Sequence, residues 1–248
     1  MGCRGVCAIV AAVSGGERVV LGGALSEARA EALRAEALRI YGRYQREFVE
    51  ALGLCPWAVR AREEGHVAVR VVLDDPAAEA ALAATEALAA DEEVQVGLLV
   101  LPRAAYDRST HEAFVSELRE QHAAGHGGSP PFAMAAFHPD AEPDLDHPAR
   151  LVPFIRRSPD PTIQLVRLTS LEAVRRRAGD RGTAFMDLST LDLAQLLSAP
   201  AQPPLHERVA DKNRETIAAM GVAEAEAILA TIARDRDAAY ARVGEETP

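Results

Sequence analysis

The sequence predicts an α/β (or α+β) fold: a mixed sheet of about four strands with helices packed on it, a long N-terminal helix and a helical C-terminal tail. Three patterns support this prediction. Apolar residues recur at steps of three and four over residues 27–52, short β-rich runs alternate with helical segments over residues 66–177, and two helical patterns close the chain. Helices between strands favour crossover connections, so at least part of the sheet is expected to be parallel.

The first helix is predicted from a single apolar face. Its members stand three or four residues apart and are Leu33, Ala37, Ile40, Tyr44, Phe48 and Leu52. Ser26 is a suitable N-cap and Gly53 a suitable stop. Because Pro56 cannot continue a helix interior, Cys55 is expected at a break, where the turn fixes the direction of its side chain.

The other elements follow from shorter runs along the chain. Strands are predicted at 66–73, 94–101, 132–137 and 162–168, and helices at about 75–90, 107–123, 170–177, 205–220 and 222–242. The acidic stretch 140–150 is predicted as a loop and residues 179–204 as irregular. The chain is therefore expected to have a loosely ordered or short-stranded segment at 1–25, a main α/β domain at 26–198 and a helical extension at 205–248. The extension is also a candidate homodimer contact.

Charge and cysteine content limit the classes of function. The net charge of −10 argues against a nucleic-acid binder, because phosphate contacts need a basic face. Three cysteines, at Cys3, Cys7 and Cys55, do not make a disulfide framework and favour a reducing compartment. No apolar run approaches the ~20 residues of a membrane span, and the first residues resemble a signal peptide only faintly. We expect a cytoplasmic protein with a small-molecule substrate.

Three motifs occur in order between residues 45 and 178. They are Leu54-Cys55-Pro56-Trp57-Ala58, Ala135-Ala136-Phe137-His138-Pro139, and the run that starts Arg157-Ser158-Pro159-Asp160-Pro161 and ends at Arg167. Together they resemble L-C-P-F-A, A-S-F-H-P and N-R-S-P-Y-P-x-L-H-L-L-R of an uncharacterised bacterial family, domain-of-unknown-function family 1415. The chain departs from these motifs at Arg156 in place of Asn, Asp160 in place of an aromatic residue and Gln164 in place of His. The resemblance implies no reaction.

His138 and Cys55 are the first candidate catalytic residues. His138 ends an apolar strand and precedes Pro139, and strand ends are where α/β proteins place ligand sites. It suits an axial haem ligand, a metal ligand or a general base; the alternative is a core-capping histidine bonded to a loop carbonyl. Cys55 suits a metal or haem thiolate or a nucleophile, although a helix C-terminus raises a thiol pKa. Its alternative is a buried structural thiol.

Two adjacent arginines are candidates for binding an anionic group. Arg157 follows a proline-containing segment and suits a carboxylate or phosphate, including a haem propionate, and Arg156 is grouped with it as cofactor-binding. The alternative for Arg157 is a pair with an acid of the 140–150 loop, namely Asp140, Asp144 or Asp146. Arg167 lies inside a predicted strand and is expected to be structural.

Other histidines carry weaker metal signals. His122 and His126 have the i, i+4 spacing that can share a metal, but a solvated helix end is the favoured interpretation. His147 could join His138 and the acids of the 140–150 loop in a mixed nitrogen and oxygen site.

Three classes of function follow. The favoured one is a haem- or metal-dependent enzyme of redox or dehydration type that acts on a small anionic molecule. In it His138 is the haem or transition-metal ligand, Arg157 and Arg156 hold the anionic group, and Cys55 is a ligand or neighbour. The second is a cysteine-dependent hydrolase or transferase with Cys55 as nucleophile, His138 as base and Arg157 orienting the substrate. The third is a non-catalytic module that binds a small ligand or a protein. Phosphate-loop, Rossmann and nucleophile-elbow motifs do not occur in the sequence.

Overall fold

A computed structural model describes residues 9–13, 16–177 and 203–245. Its elements are β1 (Ile9–Val13), β2 (Gly16–Val20), α1 (Glu27–Arg43), a π-helical segment (Tyr44–Glu50), α2 (Ala58–Glu63), β3 (Val67–Val71), α3 (Ala78–Ala89), β4 (Val96–Val100), α4 (Arg108–Gly125), β5 (Phe132–Phe137), α5 (Pro148–Ile155), β6 (Thr162–Arg167), α6 (Leu168–Arg177), α7 (Leu205–Met220) and α8 (Val222–Glu245). Cys3, Cys7 and nearly all of the stretch predicted as irregular lie outside the described residues.

The main sheet has four strands in the order β3-β4-β6-β5. β3 and β4 are parallel, whereas β6 is antiparallel to both β4 and β5. β3, β4 and β5 therefore run in one direction, and their carboxyl ends meet the start of β6 at one edge of the sheet. This edge, called the carboxyl edge below, is where open α/β sheets place ligands. The predicted fold class, the four strands and the partly parallel pairing are confirmed.

Helices cover both faces of the sheet. Alternate residues of β4 point to opposite sides: Leu98 and Val100 lie in one core, and Leu99 in the other. The first core, called layer A, receives α1, the π segment, α5, α7 and α8; the second, called layer B, receives α3 and α4. Gly97 permits the close approach on the layer B side, because a Cβ there would lie 2.9 Å from Leu88 Cδ1.

The apolar face predicted for the first helix is buried in layer A. Five of its six residues, Leu33, Ala37, Ile40, Tyr44 and Phe48, are fully buried, and Leu52 is partly buried against the same core. Ser26 caps α1 as predicted, since its hydroxyl accepts a hydrogen bond from the Arg29 amide. The winding changes at Tyr44, where hydrogen bonds span five residues, as from the Leu54 amide to the Val49 carbonyl at 2.9 Å.

The stretch 140–150 is only partly a loop. α5 begins at Pro148, two residues before the predicted end of the loop, with His147 as its N-cap. Proline at the first helical position fits because its missing amide proton has no helical partner there. The acidic residues of this stretch are typical of loops, so the helix start at Pro148 was not predicted from the sequence.

Both ends of the described chain pack on the domain. β1 and β2 form an antiparallel hairpin, and the Val19 amide donates a hydrogen bond to Asp237 of α8. α8 lies along α1, and Asp235 forms ion pairs with Arg39 and Arg43 at 2.7 and 2.6 Å. The homodimer contact stays a prediction. No single described helix is long and apolar enough to cross a membrane; α7 and α8 together meet the length and composition test, but only as a pair bent by 92°.

Candidate functional site at the carboxyl edge

His138 lies at the end of β5 and is 3% exposed. Its Nδ1 accepts a hydrogen bond from the Asp140 amide at 3.1 Å, so the ring proton is on Nε2, which donates to the Tyr106 carbonyl at 3.0 Å. Burial lowers the pKa of His138, which favours the neutral ring. With both nitrogens engaged, His138 ties the loop after β5 to the loop after β4.

A buried ion pair joins the start of β6 to α8. Arg236 Nε donates to Asp160 Oδ1 at 2.9 Å, and Tyr240 Oη donates to Asp160 Oδ2 at 2.7 Å. The side chains of Asp160 and Arg236 are each 1% exposed. The guanidinium also lies 4.4 Å from the centre of the Tyr240 ring. The carboxylate is thus fully partnered, and it anchors α8 to the sheet.

Arg18 of β2 enters the same edge but lacks an equivalent partner. It is 8% exposed, and the one hydrogen bond that its side chain forms with the described residues runs from Nη2 to the Tyr106 carbonyl at 3.4 Å. Within the described chain, its Nε and Nη1 are buried with no partner, and so is Oδ2 of Asp140. Burial, and next the nearby Arg236, lower the pKa of Arg18, while Asp140 and Asp160 oppose the shift. We call Arg18, Tyr106, His138, Asp140, Asp160 and Arg236 the edge site.

A small pocket opens beside His138 on the α4 side. Its lining residues are Arg108, Glu112, Ala136, His138, Ala141 and Pro153. The pocket contains a cation and a carboxylate near its rim and brings solvent next to the ring of His138. Of the edge-site residues defined above, His138 is the one that lines this pocket.

Arg156 and Arg157 contact the backbone of residues 138 and 139. The Arg156 carbonyl accepts the His138 amide at 3.1 Å, and the Arg156 guanidinium lies 5.6 Å from the centre of the Phe137 ring. Burial lowers the pKa of Arg156, and its guanidinium has neither a hydrogen bond nor an ion pair with the described residues. Arg157 donates from Nε to the Pro139 carbonyl at 2.8 Å and lies 3.6 Å from Glu226. The alternative pairing of Arg157 with Asp140, Asp144 or Asp146 is wrong.

Cys55 lies apart from these residues. It follows the π segment in layer A, beside Tyr41 and Tyr44, and no hydrogen bond joins it to His138 among the described residues. His138 instead contacts Tyr106 and His111, which belong to the loop after β4 and to α4 on the layer B side. Burial raises the pKa of the Cys55 thiol, in the direction predicted, although hydrogen bonds from the backbone of residues 57 and 58 oppose the shift.

Alkylation of Cys55 is expected to be slow. In a variant with Cys3 and Cys7 replaced by Ser, iodoacetamide should modify Cys55 at pH 8 about tenfold more slowly than free cysteine, because the thiolate fraction is small and the sulfur is partly buried. Mass spectrometry of a quenched time course measures the rate. A rate above that of free cysteine would support the cysteine-dependent enzyme.

Three further histidines lie outside the edge site. His122 is fully buried, so the prediction of a solvated helix end is wrong for it; Glu86 of α3 covers the ring. His111 is also fully buried, and its Nε2 lies 3.2 Å from the Thr162 carbonyl. His147 caps α5 through the Ala149 amide, and no group of three ligand-type side chains gathers around His138 in the described chain.

Arg18, Arg236 and Tyr240 are not among the site residues predicted from the sequence, and Asp160 was noted only as a departure from the resembling motif. One signal was present: Arg236 occupies the apolar stripe of α8, whose other buried members are Ala225, Leu229, Ile232, Ala239, Tyr240 and Val243. A charged residue on such a stripe needs a buried partner, and Asp160 stands where the resembling motif has an aromatic residue. Arg167 is structural as predicted, since it donates to the Val94 and Asp91 carbonyls after α3.

Comparison with known proteins gives a family but no activity. A family model described as "Protein of unknown function (DUF1415)" matches residues 40–187. No curated protein matches the chain, and no solved structure matches it either. The matched segment includes His138 and Asp160 but not Arg18 or Arg236.

Proposed function

The chain belongs to the DUF1415 family, whose function is unknown, so we infer its function from its own residues. We propose that the edge site binds a small molecule that carries a carboxylate or a phosphate. Arg18 binds the anionic group. The observation that carries the proposal is the pair of buried Arg18 nitrogens, Nε and Nη1, that no described group partners.

The energetics support a ligand at this position. An uncompensated buried charge destabilises a protein by several kcal/mol, and unsatisfied buried polar groups are rare in folded proteins. Arginine donors match carboxylate and phosphate oxygens and form their strongest hydrogen bonds with them. An anion on Arg18 therefore gains a charge-assisted contact that the protein alone does not supply.

Asp140 indicates a second feature of the molecule. Its Oδ2 is buried and accepts no hydrogen bond from the described residues, and it lies 3.8 Å from His138 Nδ1; its charge acts on Arg18, although the two groups form no ion pair within the described chain. A carboxylate oxygen accepts hydrogen bonds, so it pairs with a hydroxyl or ammonium group. The site therefore suits an anion that also carries a hydrogen-bond donor, such as a hydroxy or amino acid.

The other predicted functions have less support from the geometry. A haem or transition-metal role for His138 requires one of its two hydrogen bonds to break, because ligation needs a free ring nitrogen. The cysteine mechanism requires a base that the described contacts of Cys55 do not include. Both stay predictions, as do a non-catalytic binding role and the cytoplasmic location. The Soret band of haem-supplemented protein and elemental analysis test the first.

The variant Arg18→Met should lose anion binding without losing stability. Methionine removes the unpaired charge and retains much of the apolar stem, so the unliganded protein should keep or raise its free energy of unfolding. A hydroxy acid, an amino acid, a simple carboxylate and a phosphate ester are screened by thermal shift. Affinity for the best of them should fall about 10- to 100-fold, the value of one or two hydrogen bonds to a charged group.

Arg119→Met is the matched control, because Arg119 is an exposed arginine on α4 bonded only to Ser116. It should bind the same anion with the affinity of the native protein. Equal binding by Arg18→Met and the native protein contradicts the proposal. So does a panel in which no carboxylate or phosphate shifts the melting temperature.

A further inference from the structure

A second polar cluster lies at the far end of α4, on the layer B side. His122 and His126 project from its last turn and its C-cap, and Glu86 reaches them from α3. His122 Nδ1 lies 2.6 Å from Glu86 Oε1, and His126 Nε2 lies 2.9 Å from Glu86 Oε2. One ligand atom from each side chain falls within 4.8 Å of the other two. His122 and His126 lie 11 and 15 residues along α4 from His111, or roughly 17 and 22 Å. His111 contacts His138, so the cluster is separate from the edge site.

We infer that Glu86, His122 and His126 form a binding site for one divalent transition-metal ion, with zinc as the best match. Two imidazoles and one carboxylate are a ligand set that zinc uses in proteins, and the i, i+4 spacing places both rings on one helix face. The inference rests on this cluster alone and does not depend on anion binding at the edge site.

The geometry needs only small side-chain movements. Zinc binds nitrogen and oxygen at about 2.0–2.2 Å in a tetrahedron, so neighbouring ligand atoms stand about 3.3 Å apart. The two nitrogen–oxygen contacts of 2.6 and 2.9 Å must therefore open by less than 1 Å. Rotation of Glu86 achieves this because its side chain is 41% exposed.

Burial is graded across the three ligands. The His122 side chain is fully buried, whereas those of His126 and Glu86 are 34% and 41% exposed. The buried ring is fixed by packing against Phe132, with the ring centres 6.3 Å apart. The two exposed ligands leave the fourth position open to water and give the ion a route of entry.

The surroundings of His122 set the expected strength of binding. Ligation through Nδ1 places the ring proton on Nε2, which is buried and has no partner among the described residues. Metal-bound histidines in strong sites donate that proton to an acceptor, and this support is missing here. We therefore expect a dissociation constant on the order of micromolar, weaker than that of structural zinc fingers.

The ion would bridge α3 and α4. Both helices lie on the same face of the sheet and contact each other. Glu86 is the residue of α3 that pairs with the two histidines at the end of α4. A bound metal replaces hydrogen bonds at the surface by coordinate bonds to the same three groups. The expected consequence is a metal-dependent rise in melting temperature, since the ion binds the folded state and not the unfolded chain.

Isothermal titration of zinc into the full chain, without a polyhistidine tag, tests the inference. We expect one ion per chain. Glu86→Gln and His126→Ala should each weaken zinc binding by about 100-fold or more, which exceeds the usual loss when a residue that only hydrogen-bonds to a metal ligand is replaced. Both positions are partly exposed, so both variants should keep the far-ultraviolet circular dichroism of the native protein. Visible absorption of bound cobalt gives an independent readout of ligand geometry.

Two controls separate this site from other binding. Glu117→Gln changes an exposed acid on the same helix, and substitution of Cys3 and Cys7 by Ser removes the thiol pair near the start of the chain. Both proteins should bind zinc as the native chain does. Zinc binding by Glu86→Gln and His126→Ala with the affinity of the native protein overturns the inference. So does a native protein that does not bind one zinc ion per chain when the free zinc concentration is about 100-fold above a micromolar dissociation constant.

Discussion

Replacing Asp160 with Asn should lower the free energy of unfolding by about 3–5 kcal/mol, the effect of removing one partner of a buried ion pair. Asp160 accepts from Arg236 and Tyr240 in a fully enclosed setting. Asparagine keeps the size but removes the charge, so among the described residues the buried Arg236 guanidinium keeps only Asp237 as a carboxylate partner, and the Asp237 side chain is 30% exposed. Urea denaturation followed by circular dichroism measures the loss.

Asp235→Asn is the matched control, because it makes the same chemical change on α8 at the surface. Asp235 pairs with Arg39 and Arg43, which lower its pKa to about 2. Its side chain is 27% exposed and the arginines are also solvated, so solvent screening should limit the loss to about 1 kcal/mol. Equal losses for the two variants would contradict a special role for the buried pair.

A double variant distinguishes the loss of a charge partner from the loss of side-chain packing. Asp160→Leu with Arg236→Met removes both charges of the buried pair together, and it leaves Asp237, whose side chain is 30% exposed, without its contact to Arg236. Replacement of a buried pair by apolar residues of similar volume is often neutral or stabilising. We therefore expect the double variant to be more stable than Asp160→Asn. A greater loss in the double variant would assign the effect to side-chain packing.

Acidification from pH 6.5 to pH 4 should destabilise the protein by about 3 kcal/mol through His111 alone. Burial lowers the pKa of His111 from 6.5 to about 4, a difference that corresponds to about 1.36 kcal/mol for each pH unit. In this range the unfolded chain binds a proton that the folded chain does not. The contribution of His111 to the free energy of unfolding is present above pH 6.5 and is lost as the pH falls toward 4. His138 acts in the same direction, since burial lowers its pKa as well.

The variant His111→Gln tests this assignment. The glutamine amide can donate to the Thr162 carbonyl as Nε2 does, but it does not titrate. Its free energy of unfolding should change less between pH 7 and pH 4.5 than that of the native protein. His206→Gln, at a histidine whose side chain is 75% exposed, should keep the native pH dependence. The same slope in His111→Gln and the native protein would remove His111 as the source.

The sequence predicts the strands and the face of α1 because these depend on local periodicity. Leu98, Leu99 and Val100 can be assigned to a buried strand from their neighbours alone. The π segment leaves no such pattern, since its residues Tyr44 and Phe48 also fit an α-helical face. A change of winding within one apolar face is visible only in the hydrogen bonds.

The candidate site was predictable in position but not in chemistry. The strand-end location of His138 follows from the sequence, whereas its partners are an amide and a carbonyl that tertiary structure brings to it. Arg18 lies 88 residues before Tyr106, whose carbonyl accepts a hydrogen bond from the Arg18 side chain, and no local pattern links them. The same holds for His122, whose burial depends on Glu86 from another helix.

The pairing of Asp160 with Arg236 has a consequence for the descent of the family. The first residue lies inside the segment matched by the family model and the second lies outside it, 76 positions away. A relative that carries an aromatic side chain at the position of Asp160 offers no carboxylate to an arginine at the position of Arg236. The two positions should therefore be inherited together: acid with arginine, or aromatic with an apolar residue. Exchange of either position alone is expected to lower the stability of the protein.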